Sequence, residues 1–346
     1  MSQRSNRLIF IITGAVALSL IVATAAMAAR IVGDDGPNTL TGTPFHDRIL
    51  AKGGDDGVNA LAGRDLVHAG SGNDTVNAGP NADGVRGSAG DDILNGESGW
   101  DALLGGDGND AVDGGSGRDF VRGGLGDDSI KGGGGFAGRR GDVLHANAGN
   151  DTVVGGGGFD LITGNAGIDN LNGGPGCDRI FAGPDDDTVD GGAGFSFNRF
   201  RCERLHGGAG NDTLNGGAGR DFMSGGQGDD VQTGGGGADK LFANPGRDKS
   251  DGGDGADVLW ALARVDVTAI GDPEGDELTG GTGRDRIMVR DGELDIVHCG
   301  EGRDLVVTDQ FDQLDPDCEV RRQSDITSLD QVEDQEENRT ENPSAG

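Results

Sequence analysis

The sequence predicts an all-β fold assembled from short strands and tight turns, and three observations predict it. A nine-residue pattern, clearest in GGDGNDAVD, GGSGRDFVR and GGLGDDSIK from Gly105 to Lys131, recurs along most of the chain. Large side chains are scarce, with 71 Gly, no Tyr, 12 Phe and 2 Trp among 346 residues, so a conventional globular enzyme core is not expected. The net charge of -32 is positional, because aspartate returns at one phase of the repeat. A glycine-rich acidic chain would ordinarily be disordered, but disorder has no use for a fixed period.

The N-terminus comes first. Arg4 and Arg7 precede an apolar run from Leu8 to about Ala26, and Ala26-Met27-Ala28 stands where a signal peptidase reads. Residues 1–28 are therefore expected to be an export signal. A retained membrane anchor is the alternative, since the run is nearly long enough to span a bilayer.

From Gly33 to Val307 the chain can be laid out as twenty-nine nine-residue units. About five extra residues fall before Asp142, seven before Glu203, and one each near Asp276 and Asp295. Place 6 is Asp in twenty-seven units, with Asn38 in the first and Glu203 in the eighteenth. Place 8 is apolar except at Gln232, Ser250 and Thr268. Glycines at places 1, 2 and 4 allow positive φ and close backbone approach, so places 1 to 6 read as a tight turn whose carbonyls converge. Places 7 to 9 read as a short strand with place 8 pointing inward. Converging carbonyls with one carboxylate per repeat form an all-oxygen environment suited to a hard cation such as calcium.

This pattern, GGxGxDxUx, resembles the signature of the repeats-in-toxin (RTX, hemolysin-type) calcium-binding nonapeptides. The strict matches are the units carrying Asp110, Asp119, Asp128, Asp160, Asp178, Asp212, Asp221, Asp239, Asp257 and Asp285. The resemblance implies a parallel β-roll, or β-solenoid, over residues 29–318. It implies two repeats per coil, about fourteen coils, and Ca2+ held between stacked turns by aspartates and turn carbonyls. Asp74, Asp92, Asp101, Asp151, Asp169 and Asp230 join the strict set as implied ligands. The chain is similar to repeat-only secreted members from actinobacteria, whose ends resemble HCGEGRDLVVTDQFDQLDPDCE. It departs from the toxin type, which leaves by an uncleaved C-terminal signal. The units GTPFHDRIL, AGPNADGVR and ALARVDVTA lack most of the glycines.

Two features test the eighteen-residue coil. Cys177 and Cys202 both stand at place 5, in units sixteen and eighteen, and Cys299 and Cys318 are 19 residues apart. With parallel strands roughly 4.8 Å apart, each pair lies within the usual reach of a disulfide, and both bridges are expected. Outward positions also split by parity. Odd units carry Thr39, Thr75, Thr152 and Asn59, Asn77, Asn95, whereas even units carry Leu66, Phe120, Phe222 and Phe181, Phe242, Trp260. Two distinct sheets follow, one polar outside and one greasier.

No HExxH, GxSxG or GxxxxGK occurs, so no enzymatic activity is expected. His68, His145, His206 and His298 share place 9 of even units, but the nearest two are roughly 14 Å apart at this strand spacing, too far to share zinc. The insertions near 132–141 and 195–201 are basic and aromatic (Phe136, Arg139, Arg140; Phe195, Phe197, Arg199, Phe200, Arg201), which with the even sheet makes a candidate surface for cell-surface or self-association. Residues 319–346 form an acidic tail expected to be disordered. Stacked carboxylates near 5 Å would repel by roughly 3 kcal/mol per pair at an effective dielectric of 20, so calcium binding and folding should be one process. The reading is a secreted, extracellular calcium-binding repeat protein with a structural or surface-interaction role and no nucleic-acid partner. The alternatives are a polysaccharide-acting solenoid enzyme, or an ice-binding or adhesin solenoid.

Overall fold

Each unit offers the core one apolar group, at place 8, and strand stacking is the arrangement that buries it. The computed structural model describes residues 9–11, 28–134, 141–193, 203–261 and 275–323. It winds through about 15 turns of parallel β-solenoid, with no helix among the described residues. The chain forms two compact units, Met1–Asn170 and Leu171–Gly346.

In the first unit one sheet takes the even repeats, from Arg48–Gly53 through Leu66–Ser71, Gly84–Ala89 and Ala102–Asp107 to Leu161–Ala166. Arg48 lies opposite Leu66, Leu66 opposite Gly84, and Gly84 opposite Ala102, so one coil is eighteen residues. Odd repeats build the second sheet, in which Thr39 faces Gly57, Gly57 faces Thr75 and Thr75 faces Ile93. Ile49, Val67, Leu103 and Val121 from one sheet and Leu40, Val76, Leu94 and Ile130 from the other are at most 3% exposed. Each such side chain contributes about 1.5–3 kcal/mol. The extra residues before Asp142 leave the register intact, with Phe120 opposite Val143.

The second unit repeats the arrangement. Arg179–Pro184, Arg204–Ala209, Phe222–Gln227, Lys240–Phe242 and Val258–Trp260 follow one another in one sheet. Its outer face carries the aromatics expected there. Phe242 and Trp260 stack with centroids 4.4 Å apart and rings 4° from parallel, and Phe222 lies 4.9 Å from Phe242. A narrow third sheet, Ala218–Gly219 through Gly236–Gly237 and Asp254–Gly255 to Glu301–Gly302, runs along one turn edge.

The layout in nines fails at one unit. Val258 pairs with Arg286 and Lys249 with Glu277, each 28 residues on, so ALARVDVTA contributes no half-coil to either ladder. It lacks the turn glycines, and its residues 262–269 lie outside the described residues. Parity therefore inverts after it. His298 stands on the sheet of Glu277–Thr279, not on the sheet of Phe222–Gln227 that follows the strand of His206. The sheet also runs past Cys318, with Val320–Gln323 pairing Leu305–Thr308.

Cys299 and Cys318 form a disulfide with Cα atoms 5.1 Å apart. Cys202 lies outside the described residues, and no described cysteine is free. Also outside them are residues 1–8 and 12–27, the insertion residues 135–140 and 194–202, residues 262–274, and the tail from 324. No helix among the described residues is long and apolar enough to cross a membrane.

Candidate metal centre

The place-6 aspartates turn inward at the ends of the strands. All sixteen implied ligands, Asp74, Asp92, Asp101, Asp110, Asp119, Asp128, Asp151, Asp160, Asp169, Asp178, Asp212, Asp221, Asp230, Asp239, Asp257 and Asp285, are at most 2% exposed. Their carboxylates are tied to the backbone in a regular way. Asp74 N–H donates to Asp92 Oδ1, Asp92 N–H to Asp110 Oδ1 and Asp110 N–H to Asp128 Oδ1, each at 2.8 Å. The even turns repeat the device, with Asp83 N–H on Asp101 Oδ1 at 2.8 Å and Asp101 N–H on Asp119 Oδ1 at 2.9 Å. In the second unit Asp221, Asp239, Asp257 and Asp285 continue it at 2.8–2.9 Å. Each coil is thus registered to the next through one carboxylate oxygen.

The other oxygen is the informative one. Oδ2 of Asp74, Asp92, Asp101, Asp110, Asp119, Asp128, Asp230, Asp239, Asp257 and Asp285 is buried and accepts no hydrogen bond. A row of buried acceptors without donors is costly, roughly 1–3 kcal/mol each and more when charged, so it calls for a cation. One unit supplies an internal control. In GTPFHDRIL, which lacks most of the glycines, Thr43 N–H and Oγ1 reach Asp47 Oδ2 at 2.5 and 3.0 Å. The hydroxyl there satisfies what elsewhere is left over.

The glycines show why that oxygen has room. Places 2 and 4 carry the left-handed backbone, as at Gly106 (φ 138°) and Gly108 (φ 133°). Place 1 does not, contrary to the expectation from sequence. Its glycine makes space instead, since a Cβ on Gly114 would sit 2.8 Å from Asp119 Oδ2 and 2.7 Å from the carbonyl of Gly132 in the next coil. A carboxylate oxygen and a carbonyl oxygen from stacked turns therefore flank one small vacant volume. These hard donors fit a calcium ion.

Electrostatics point the same way. Burial pushes the Asp92, Asp119, Asp128, Asp230, Asp239 and Asp257 carboxyls up to about 7, the N–H from the preceding coil opposes this, and neighbouring carboxylates add to it. Glu203, the one glutamate at place 6, is held well above the usual range by burial and then by Asp221 and Asp178.

Three sets of residues were not singled out from sequence. Asp56, Asp65, Asp83, Asp142, Asp276 and Asp295 accept the same backbone bond as the named ligands. An exposed second ladder runs at place 5 of odd units, where Asp91 N–H donates to Asn73 Oδ1, Asn109 N–H to Asp91 Oδ1 and Asp127 N–H to Asn109 Oδ1 at 2.8–2.9 Å. The alternation Asp55, Asn73, Asp91, Asn109, Asp127 every eighteenth residue is its signal. The third set, around Asp291, is taken up below.

Comparison with known families gives a match over most of this length. The family described as RTX calcium-binding nonapeptide repeat (4 copies) matches in eight segments between residues 32 and 261, interrupted only at 198–202. No curated protein matches the chain. Among solved structures, a hyperactive, Ca2+-dependent, beta-helical antifreeze protein from an Antarctic bacterium is similar at 19% identity, with TM-score 0.33, over 88% of this chain and 89% of that one.

Proposed function

The chain belongs to the RTX calcium-binding nonapeptide repeat family, and from that premise we propose that it is a secreted protein that folds on meeting calcium outside the cell and serves a structural role there. The observation that carries this is the row of buried, donor-less Oδ2 atoms, broken at Asp47 where Thr43 supplies donors. Calcium between the turns would bind these oxygens and the flanking carbonyls, and turn carboxylate repulsion into attraction. The resident chemistry is charge neutralisation. The chain's own residues hold the backbone register through Oδ1, orient Oδ2 inward and exclude water.

Export through an N-terminal signal fits this dependence, because calcium is scarce in cytosol and plentiful outside. The test is circular dichroism of the mature chain. It should be largely unstructured in chelator and gain β signal cooperatively with millimolar calcium, the range of extracellular modules. Full β content in excess chelator would overturn the coupling. N-terminal sequencing of protein recovered from the medium should begin close to Ala29, and an intact Met1 would overturn cleavage.

A further inference from the structure

The turn VRDGELD, from Val289 to Asp295, breaks the repeat's rules in a way that gathers charge. It lacks glycine at its first two places and carries one residue more than other turns. Acidic side chains take the inner positions instead. Asp291, Glu293 and Asp295 are 5%, 2% and 0% exposed, and each offers a carboxylate oxygen within 4.8 Å of the other two. Asp276 comes to the same place from the preceding coil, where its N–H donates to Asp295 Oδ1 at 2.8 Å. Its own Oδ2 is buried without a donor, as is Asp295 Oδ2. Gly292, at φ 100°, closes the turn, and its N–H is held by Asp309 Oδ2 at 2.9 Å.

We propose that Asp291 and Glu293 join the repeat aspartates Asp295 and Asp276 in one calcium site, made of side-chain carboxylates from one extended turn and its neighbour rather than of one aspartate per turn and carbonyls. Elsewhere a turn gives the cation one carboxylate and relies on carbonyl oxygens. Here the same volume receives carboxylates from three residues of one turn. Affinity for calcium rises with ligand charge and site rigidity, so this site fills before the ladders do. It lies beyond the segments matched to the repeat family, which end at residue 261. The Cys299–Cys318 bridge lies four residues further on and ties the following coils together in the oxidised protein.

The test compares the full mature chain with the Asp291→Asn/Glu293→Gln variant, which keeps side-chain size and every place-6 aspartate. Calcium is counted by equilibrium dialysis and its affinities by calorimetry. The wild type should show one ion bound at least ten-fold tighter than the rest, and the variant should lose that ion while keeping the others. An unchanged count and affinity spectrum would overturn the proposal while leaving the ladder reading intact. If the ladders bind nothing, the count should instead fall from one to zero. Should the variant fail to fold, hydrogen exchange of the wild type at one equivalent of calcium decides. Protection over 286–309 ahead of 102–131 supports the site, and the reverse order overturns it.

Discussion

At the level of single residues, each place-6 aspartate has two tasks with different chemistry, and substitutions can separate them. Asp110→Asn keeps the acceptor for Asp92 N–H but removes a charge. It should stabilise the calcium-free chain and lower the number of calcium ions bound. Asp110→Ala leaves Asp92 N–H unsatisfied as well, at a cost of about 1–3 kcal/mol in either state. Urea melts of both variants with and without calcium check this, and equal effects in both states would refute the division of labour. The glycines divide similarly. Gly108→Ala places a Cβ at φ 133° against the Gly90 carbonyl and should cost about 1–3 kcal/mol. Gly105→Ala should cost less, because alanine already stands buried at place 1 in Ala51, Ala60, Ala69 and Ala78. Acidity gives a third expectation. Carboxyls such as Asp83, Asp92 and Asp128 are raised by burial from an ordinary value near 3.8 to about 7. Groups whose folded pKa is raised contribute stability fully below the unfolded value and lose it as pH rises through the folded one. The calcium-free protein should therefore be more stable near pH 4 than at pH 7.5, and calcium affinity should climb between pH 5 and 7. A denaturant midpoint of the stripped protein that rises with pH over this window would contradict the assignment.

At the level of strands and turns, period and parity were legible because a solenoid writes its register into the sequence every eighteen residues. The core at place 8, the two sheets and the Cys299–Cys318 bridge followed from that spacing. What could not be read was whether a degenerate unit still winds. ALARVDVTA keeps Asp266 at place 6 and apolar side chains on both sides, so counting admits it. Pairing of Asp257 N–H with Asp285 Oδ1, 28 residues on, excludes it. Glycine count does not decide it, because GTPFHDRIL winds with Thr43 and Phe45 at places 2 and 4, and Lys52, Leu61, Ser88 and Glu97 hold a left-handed place 2 elsewhere. The place-5 ladder escaped notice because its Asp and Asn side chains are exposed, where such residues ordinarily meet only water. The Asp291 cluster escaped because the reading in nines assigns only Asp295 to place 6. If ALARVDVTA is only an excursion between coils, deleting ten residues, 262–271, should restore the eighteen-residue spacing between Asp257 and the next stacked aspartate. Shortening a loop changes closure entropy by well under about 1 kcal/mol. Calcium-loaded melts should therefore stay within about 1 kcal/mol of the parent, and a collapse of β signal would show that the segment belongs to the fold.

Across the whole chain, a formal charge of -32 raises the question of whether calcium acts as a specific ligand or merely screens. Burial answers it. Screening acts on charges in contact with solvent, and even at 1 M salt the Debye length is only about 3 Å. The described place-6 carboxylates are at most 4% exposed, so mobile ions cannot reach between them without entering the turn as ligands. Monovalent salt should relax repulsion among exposed acids such as Asp91, Asp127 and Asp229 and leave the buried ladders unfavourable. Magnesium is smaller, demands near-octahedral geometry and gives up its waters reluctantly, so it should fit poorly between turns that offer few oxygens each. Because every coil contacts only its neighbours, coils that lose their cation raise the cost of ordering the next, as in other solenoids, and folding should be steep in calcium. Titrating the chelator-treated chain should therefore give a cooperative β transition with calcium, little change with sodium chloride at matched or ten-fold higher ionic strength, and a midpoint with magnesium at least ten-fold higher. If sodium chloride alone produced the full transition, bulk screening of surface charge would account for the folding, and the buried Oδ2 rows would have no role in it.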